Sequence, residues 1–236
     1  LGGAHGGKPA VVEQSDPDRF YGTLAADSVR ECMRFVDLDG ARMLDVGGGP
    51  GTYSVLLTER FPGLRAEVLE LPGVAAVARE LVAAAGAGDR VTLRDGDYHE
   101  ADFGSGRDVM LMSGMFHRET ESACRSLIAR GAACLEAGGL LVVSDVFTDP
   151  GGTQPTFAAM FGLNMMLTAA DGRVLADADV KHWMADAGFR VARFEFGYMA
   201  ARREGQRKPP PRAETLIPEY EAAVAELGGK GRLIIG

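Results

Sequence analysis

Leu44-Asp45-Val46-Gly47-Gly48-Gly49-Pro50-Gly51 is the stretch that decides the fold. The apolar run of Met43, Leu44 and Val46 ends in an acid and three glycines, and a helix-compatible stretch from Tyr53 to Phe61 follows. Strand, glycine turn and helix in that order make up a nucleotide-binding α/β unit. Glycine suits the turn because, without a Cβ, the chain can adopt φ > 0 and a ligand can lie against the backbone N–H groups at the helix start. Taken alone, the octet also fits a plain tight βα turn, so the residues around it carry the reading further.

Outward from the octet, apolar runs of strand length alternate with helical patterns. Strands are expected at 42–46, 65–70, 90–94, 107–112, 139–146 and 189–197, with a last one near 198–202. Helices fit 24–36, 52–61, 73–85, 119–135 and 177–187. In the 119–135 segment, Cys124, Leu127, Ile128, Gly131 and Leu135 share one face, and Gly138-Gly139 is expected to stop the helix. Strands joined by crossover helices require a parallel sheet covered on both faces. The expected fold is therefore a doubly wound α/β sandwich with a seven-stranded, mainly parallel sheet, whose ligands bind beyond the carboxyl ends of the strands.

Composition narrows the function. The chain has 236 residues, 46% of them hydrophobic, enough for one well-buried domain with a small appendage. No apolar run reaches about 18 residues and the N-terminus lacks the order of a signal peptide, so a soluble, cytoplasmic protein is expected. Cys32, Cys124 and Cys134 are an odd set without CxxC spacing and read as small buried hydrophobes. A net charge of −8 argues against a nucleic-acid partner. The basic cluster of Arg202, Arg203, Arg207, Lys208 and Arg212 lies in a Pro-rich stretch and reads as a solvated linker.

Two further acids fall at strand ends. Glu70 closes Ala66-Glu67-Val68-Leu69-Glu70, 19 residues after Gly51, which is about the spacing at which a carboxylate accepts hydrogen bonds from a ribose diol. Asp97, in Asp95-Gly96-Asp97-Tyr98, follows the third strand, where it could accept from an adenine amino group while Tyr98 packs on the ring. Each acid alone reads as a surface or capping residue. Three in succession, Asp45 included, read as a site.

The order of the octet, Val68-Leu69-Glu70-Leu71-Pro72-Gly73-Val74, Asp95-Gly96-Asp97-Tyr98, Leu111-Met112-Ser113-Gly114-Met115-Phe116-His117 and Leu135-Glu136-Ala137-Gly138-Gly139-Leu140 resembles the class I S-adenosylmethionine (SAM) methyltransferases. More narrowly, it is similar to small-molecule O-methyltransferases of the caffeate, hydroxyindole and polyketide-tailoring type, over about residues 41–202. The resemblance implies that SAM is bound, and S-adenosylhomocysteine (SAH) released, by Asp45, Gly47, Gly49, Glu70, Leu71, Asp97, Tyr98 and Ser113. The family more often has Asp where this chain has Glu70, a change that still reaches a diol.

The resemblance also makes His117, seven residues before Cys124, the general base on the acceptor hydroxyl. A phenol of pKa about 10 is a poor nucleophile at neutral pH, and a positioned imidazole removes its proton as the methyl group moves. Where the family has Asp-Trp after the His, this chain has Arg118-Glu119, and the position of an orienting Glu falls near Val174, which cannot hydrogen-bond. Either Glu119 or a backbone carbonyl then holds His117, or the base is weak. His99 is the other histidine expected near the site; His182 is expected on a surface helix and His5 in a Gly-rich leader.

Acceptor binding is assigned to Phe116 and to Met160, Phe161, Asn164 and Met165 in a stretch similar to the family's substrate-lining helix. Soft methionines and flat phenyl rings suit a planar ligand, although the stretch also reads as an ordinary buried helix. No metal is expected, because Ser113-Gly114 stands where a metal-ligating acid would be needed.

The organisation expected is a leader and helix over 1–40, with Phe20-Tyr21 placed to cover SAM, a methyltransferase domain over 41–203, and a Pro-rich linker with an amphipathic helix at Ile217–Leu227 over 204–236. The resemblance implies a helical N-terminal domain in relatives, so residues 1–40 are expected either to belong to a trimmed domain of a larger protein or to leave the lid to another segment. Two partners besides the acceptor stay open, a second copy in a homodimer or a parent multidomain protein. The functional reading is O-methylation of an aromatic or polyketide-like hydroxyl in secondary metabolism. The alternatives are C-methylation, a SAM-binding protein that does not methylate, and one domain of a larger synthase.

Overall fold

The computed structural model describes residues 37–194 and 232–235. Expectations for the helix at 24–36, the strand near 198–202, the basic cluster, the linker and the helix at Ile217–Leu227 lie outside the described residues, as do His5, Phe20-Tyr21 and Cys32.

Strands β1 (Arg42–Val46), β2 (Arg65–Glu70), β3 (Val91–Asp95), β4 (Arg107–Ser113) and β5 (Leu135–Ser144) stand in the order β3-β2-β1-β4-β5, all parallel. Reversal of the strand order beside β1 places a crevice over the carboxyl ends of β1 and β4, where open α/β sheets bind ligands. Beyond β5 the sheet continues through β9 (Arg232–Ile235) to β8 (Val191–Phe194), again with parallel pairing. A separate two-stranded sheet joins β6 (Phe147–Thr148) to β7 (Leu175–Ala176).

Two-residue alternation explains why both faces of the sheet are covered. Met43, Val68, Val109, Leu111 and Val142 pack with Leu57 of helix α1 (Thr52–Arg60) and Val82 of α2 (Pro72–Ala84). Their neighbours Leu44, Leu69, Met110, Met112, Leu141 and Val143 pack on the other face with Cys124, Leu127 and Ile128 of α3 (Glu121–Cys134) and Val180, Trp183 and Met184 of α5 (Asp177–Asp186). The remaining helix among the described residues, α4 (Thr156–Thr168), holds the Met- and Phe-rich stretch.

Three boundaries differ from the sequence expectations. The helix expected from 119 starts at Glu121, its N-cap Thr120 accepting from the Ala123 amide at 3.1 Å, and a separate short 3-10 turn, Phe116–Arg118, precedes it. Helix α3 ends at Cys134 rather than at Gly138-Gly139: Leu135 already pairs with Arg107, the register then jumps, and regular pairing resumes at Leu140. Strand β5 stops at Ser144, which leaves Asp145 at the sheet's carboxyl edge rather than within a strand. None of the helices among the described residues is long and apolar enough to cross a membrane.

Candidate active site

The glycine loop runs from β1 into α1 and folds back on its own neighbours. Gly47 has φ 64° and its amide donates to Leu69 O at 2.9 Å; the Gly51 amide donates to Gly48 O at 3.0 Å. The Gly49 amide donates to Glu70 Oε2 at 2.9 Å, and Leu71 N donates to Glu70 Oε1 at 2.7 Å. These four amides are therefore engaged within the loop and with Leu69 and Glu70. A Cβ on Gly48 would stand 2.6 Å from Asp45 Cγ, so only glycine lets the chain cross the Asp45 carboxyl.

Asp45 is the most deeply buried acid here, 1% exposed. Its Oδ2 accepts from Ser54 at 2.7 Å, while Oδ1 is buried without a partner. Burial pushes its pKa up from 3.8 to about 7, with the Ser54 hydrogen bond opposing and Glu70 adding to the rise.

Glu70 keeps lone pairs on both oxygens beyond the two amides it already accepts from, since an ionised carboxylate has about four acceptor sites. Asp97 caps the turn after β3, its Oδ1 accepting from the His99 amide at 2.8 Å. Tyr98 lies over the loop, its ring carbon Cε1 3.5 Å from where a Gly47 Cβ would be. Leu71 is exposed at the end of β2, and Ser113 is partly exposed at the end of β4. Glycine loop, Glu70, Leu71, Asp97 and Tyr98 thus line one end of the crevice.

His117 lies in the 3-10 turn after β4. Its Nδ1 is 2.8 Å from Asp145 Oδ1, and its amide donates to Asp145 Oδ2 at 3.2 Å. Asp145 is held in turn by the Val146 amide, which donates to Oδ1 at 2.7 Å. The carboxylate that orients His117 is therefore Asp145 and not Glu119, which turns the other way and accepts from the Tyr98 hydroxyl at 2.5 Å. Asp145 carried a signal in the sequence: it is another acid at the carboxyl end of a strand. The expected extension of the strand to residue 146 hid it.

Of the acceptor residues, Phe161 meets His117 edge to face, with ring centroids 5.1 Å apart. Phe157 stacks on Phe161 at 6.2 Å. Met165 is on the partly buried side of α4, Met160 and Asn164 on the exposed stripe with Phe157. Phe116 is 1% exposed and packs into the core around Cys124, so the structure does not bring it to the open side. The Cys124 thiol points at Phe116 O, 3.8 Å away, and burial pushes its pKa up to about 12, with Glu119 and Asp145 adding to the effect. It therefore packs under the turn as a neutral thiol. Helix α4 is not the buried helix of the alternative reading: Leu163, Met166 and Leu167 are exposed with Phe157 and Met160. Among the described residues there is no group of three or more His, Cys, Asp or Glu that could hold a metal ion.

A glycine loop under an acid-lined crevice, with a carboxylate-held imidazole beside it, sits on a parallel α/β sheet of Rossmann-like order. The chain belongs to the O-methyltransferase domain family, which matches residues 23–190. It is similar to 3-hydroxy-5-methyl-1-naphthoate 3-O-methyltransferase of Streptomyces sahachiroi, 33% identical over 77% of this chain and 54% of the relative. It is also similar to L-tyrosine C(3)-methyltransferase of Streptomyces lavendulae, 28% identical over 75% of this chain and 48% of the relative. Human N-acetylserotonin methyltransferase, solved in complex with SAM, shares the fold at TM-score 0.63 and 20% identity, over 76% of this chain and 49% of that one. The chain spans about half the length of the curated relatives it matches. A second family, described as an α/β hydrolase domain, matches residues 175–236, about a quarter of the chain.

Proposed function

We propose that this domain transfers a methyl group from SAM to a hydroxyl of a planar aromatic or polyketide-like small molecule, with His117 as general base. The carrying observation is the His117–Asp145 pair at 2.8 Å. A carboxylate only accepts, so Nδ1 keeps its proton and the lone pair falls on Nε2, the nitrogen available to an acceptor. Asp145 also stabilises the imidazolium that forms when Nε2 takes the phenolic proton. Such base catalysis contributes about 10²–10⁴-fold.

SAM, when bound, supplies the electrophilic methyl group on a sulfonium. Gly47 and Gly49 would admit its methionine part, Glu70 its ribose, and Asp97, Tyr98 and Leu71 its adenine, with Ser113 beside them. Phe161 and Met165 would flank a flat acceptor next to His117, and Met160 and Asn164 would meet it at the outer rim of α4. The naphthoate relative supports an aromatic hydroxyl as acceptor. The L-tyrosine relative supports a second reading, C-methylation of a phenol, in which the same proton removal pushes electrons into the ring. A cytoplasmic location, and a second copy or a larger parent protein as partner, belong to the same proposal.

Methyl-labelled SAM with a panel of phenols, enols and polyketide acceptors tests it. His117→Ala and Asp145→Asn are each expected to lower kcat by about 10²-fold or more while SAH still binds. Undiminished transfer by His117→Ala removes the general base, and SAH binding without transfer to any acceptor favours a binding protein.

A further inference from the structure

The 3-10 turn carries two side chains in two directions, and only one of them serves the acceptor. We infer that Glu119 is a positioning residue for the cofactor, holding Tyr98 over the glycine loop; the inference rests on the reading of that loop as the SAM site. Glu119 is 7% exposed, and a carboxylate this enclosed needs donors. It has one on Oε1, the Tyr98 hydroxyl at 2.5 Å, with His99 Nε2 3.3 Å from the same oxygen.

The rest of the loop is fastened from another element. Arg130 of α3 donates to Tyr98 O at 2.7 Å and His99 O at 3.3 Å, also reaches Ala101 O, and lies over the Phe103 ring at 4.1 Å. The backbone of residues 98–101 is thereby fixed, but the Tyr98 ring can still rotate about its side-chain bonds. The Glu119 hydrogen bond at the far end of the ring removes that freedom, and the ring then rests against Gly47. The His99 ring packs beside it at 4.6 Å. Glu119 thus fixes a wall of the cofactor crevice, from the same turn that presents His117 to the acceptor.

The test reads cofactor and chemistry separately: SAH affinity by calorimetry, and KM for SAM against kcat with an accepted substrate. Glu119→Ala and Tyr98→Phe are each expected to weaken SAH binding about 10-fold and to raise KM for SAM, with kcat at saturating SAM nearly unchanged. The double variant is expected to bind no more weakly than the worse single one, because both remove one interaction. Glu119→Gln keeps an acceptor oxygen and is expected to restore most of the affinity. Should Glu119→Ala not fold, Tyr98→Phe and Glu119→Gln still decide the matter. SAH affinity within about 2-fold of wild type in Tyr98→Phe overturns the inference, as does a fall in kcat for Glu119→Gln with KM for SAM unchanged. Failure of the wild-type chain to bind SAH overturns the cofactor reading itself, and this inference with it.

Discussion

Asp45 shows how a single residue links the loop's shape to pH. The chain passes so close over its carboxyl that solvent is excluded, one oxygen has Ser54 and the other has no partner. Burial holds its pKa near 7 in the folded protein, above the ordinary 3.8. A raised carboxyl pKa means that the folded state binds the proton more tightly, so stability from this group is present below about pH 4 and is lost as pH rises to about 7. Asp45→Asn cannot ionise and keeps an acceptor for Ser54. Urea midpoints measured at several pH values should show wild type losing stability relative to the variant across that window and then running parallel above it; parallel curves throughout would show that Asp45 ionises freely in the fold. The sequence made Asp45, Glu70, Asp97 and His117 legible because each follows an apolar run at a sheet edge. It did not make the pairings legible: which acid turns toward His117 depends on where β5 ends and how the turn before α3 points its side chains, and no local pattern encodes either.

The element that matters most for the site is the turn between β4 and α3. Sequence periodicity ran α3 back to residue 119 because Glu119 and Thr120 fit a helix by composition, whereas the Thr120 side chain caps the helix and frees Phe116–Arg118 to form a separate turn. That break lets His117 and Glu119 diverge. Thr120→Ala removes the hydrogen bond to the Ala123 amide and is expected to cost about 1 kcal/mol, read as a lowered urea midpoint at unchanged slope. Because the cap also fixes the turn, the same variant should lower kcat more than that small stability loss explains when assayed well below its melting temperature. The four strands β1, β2, β3 and β4 were legible to within a residue, since each is a short apolar run bounded by Gly, Pro or charge. Helix α4 was legible as a helix but not in its exposure: its apolar residues surround the axis, so no face is marked as the inner one, and contact with β6 and the 3-10 turn chooses it.

At the scale of the molecule, the sheet divides at β5. From β3 to β5 every neighbour pairs over four residues or more, and the crevice lies entirely on that part. Beyond it, β9 meets β5 over two residues only, Val143 with Ile234 and Ser144 with Ile235, while it pairs with β8 over four. The backbone ladder of β9 is therefore longer with β8 than with β5. A chain ending at residue 190 should bind SAH within about threefold of the whole chain, less than 1 kcal/mol, because no residue of the crevice is removed. Its melting temperature should fall, since β5 loses its cover on one edge and exposes a parallel strand to water. Loss of SAH binding in the folded shorter chain would mean instead that β9, through Val143 and Ser144, holds the end of β5 and hence Asp145 in place. Weak SAH binding with transfer abolished would trace the defect to that same carboxylate and join the far edge of the sheet to the His117 base.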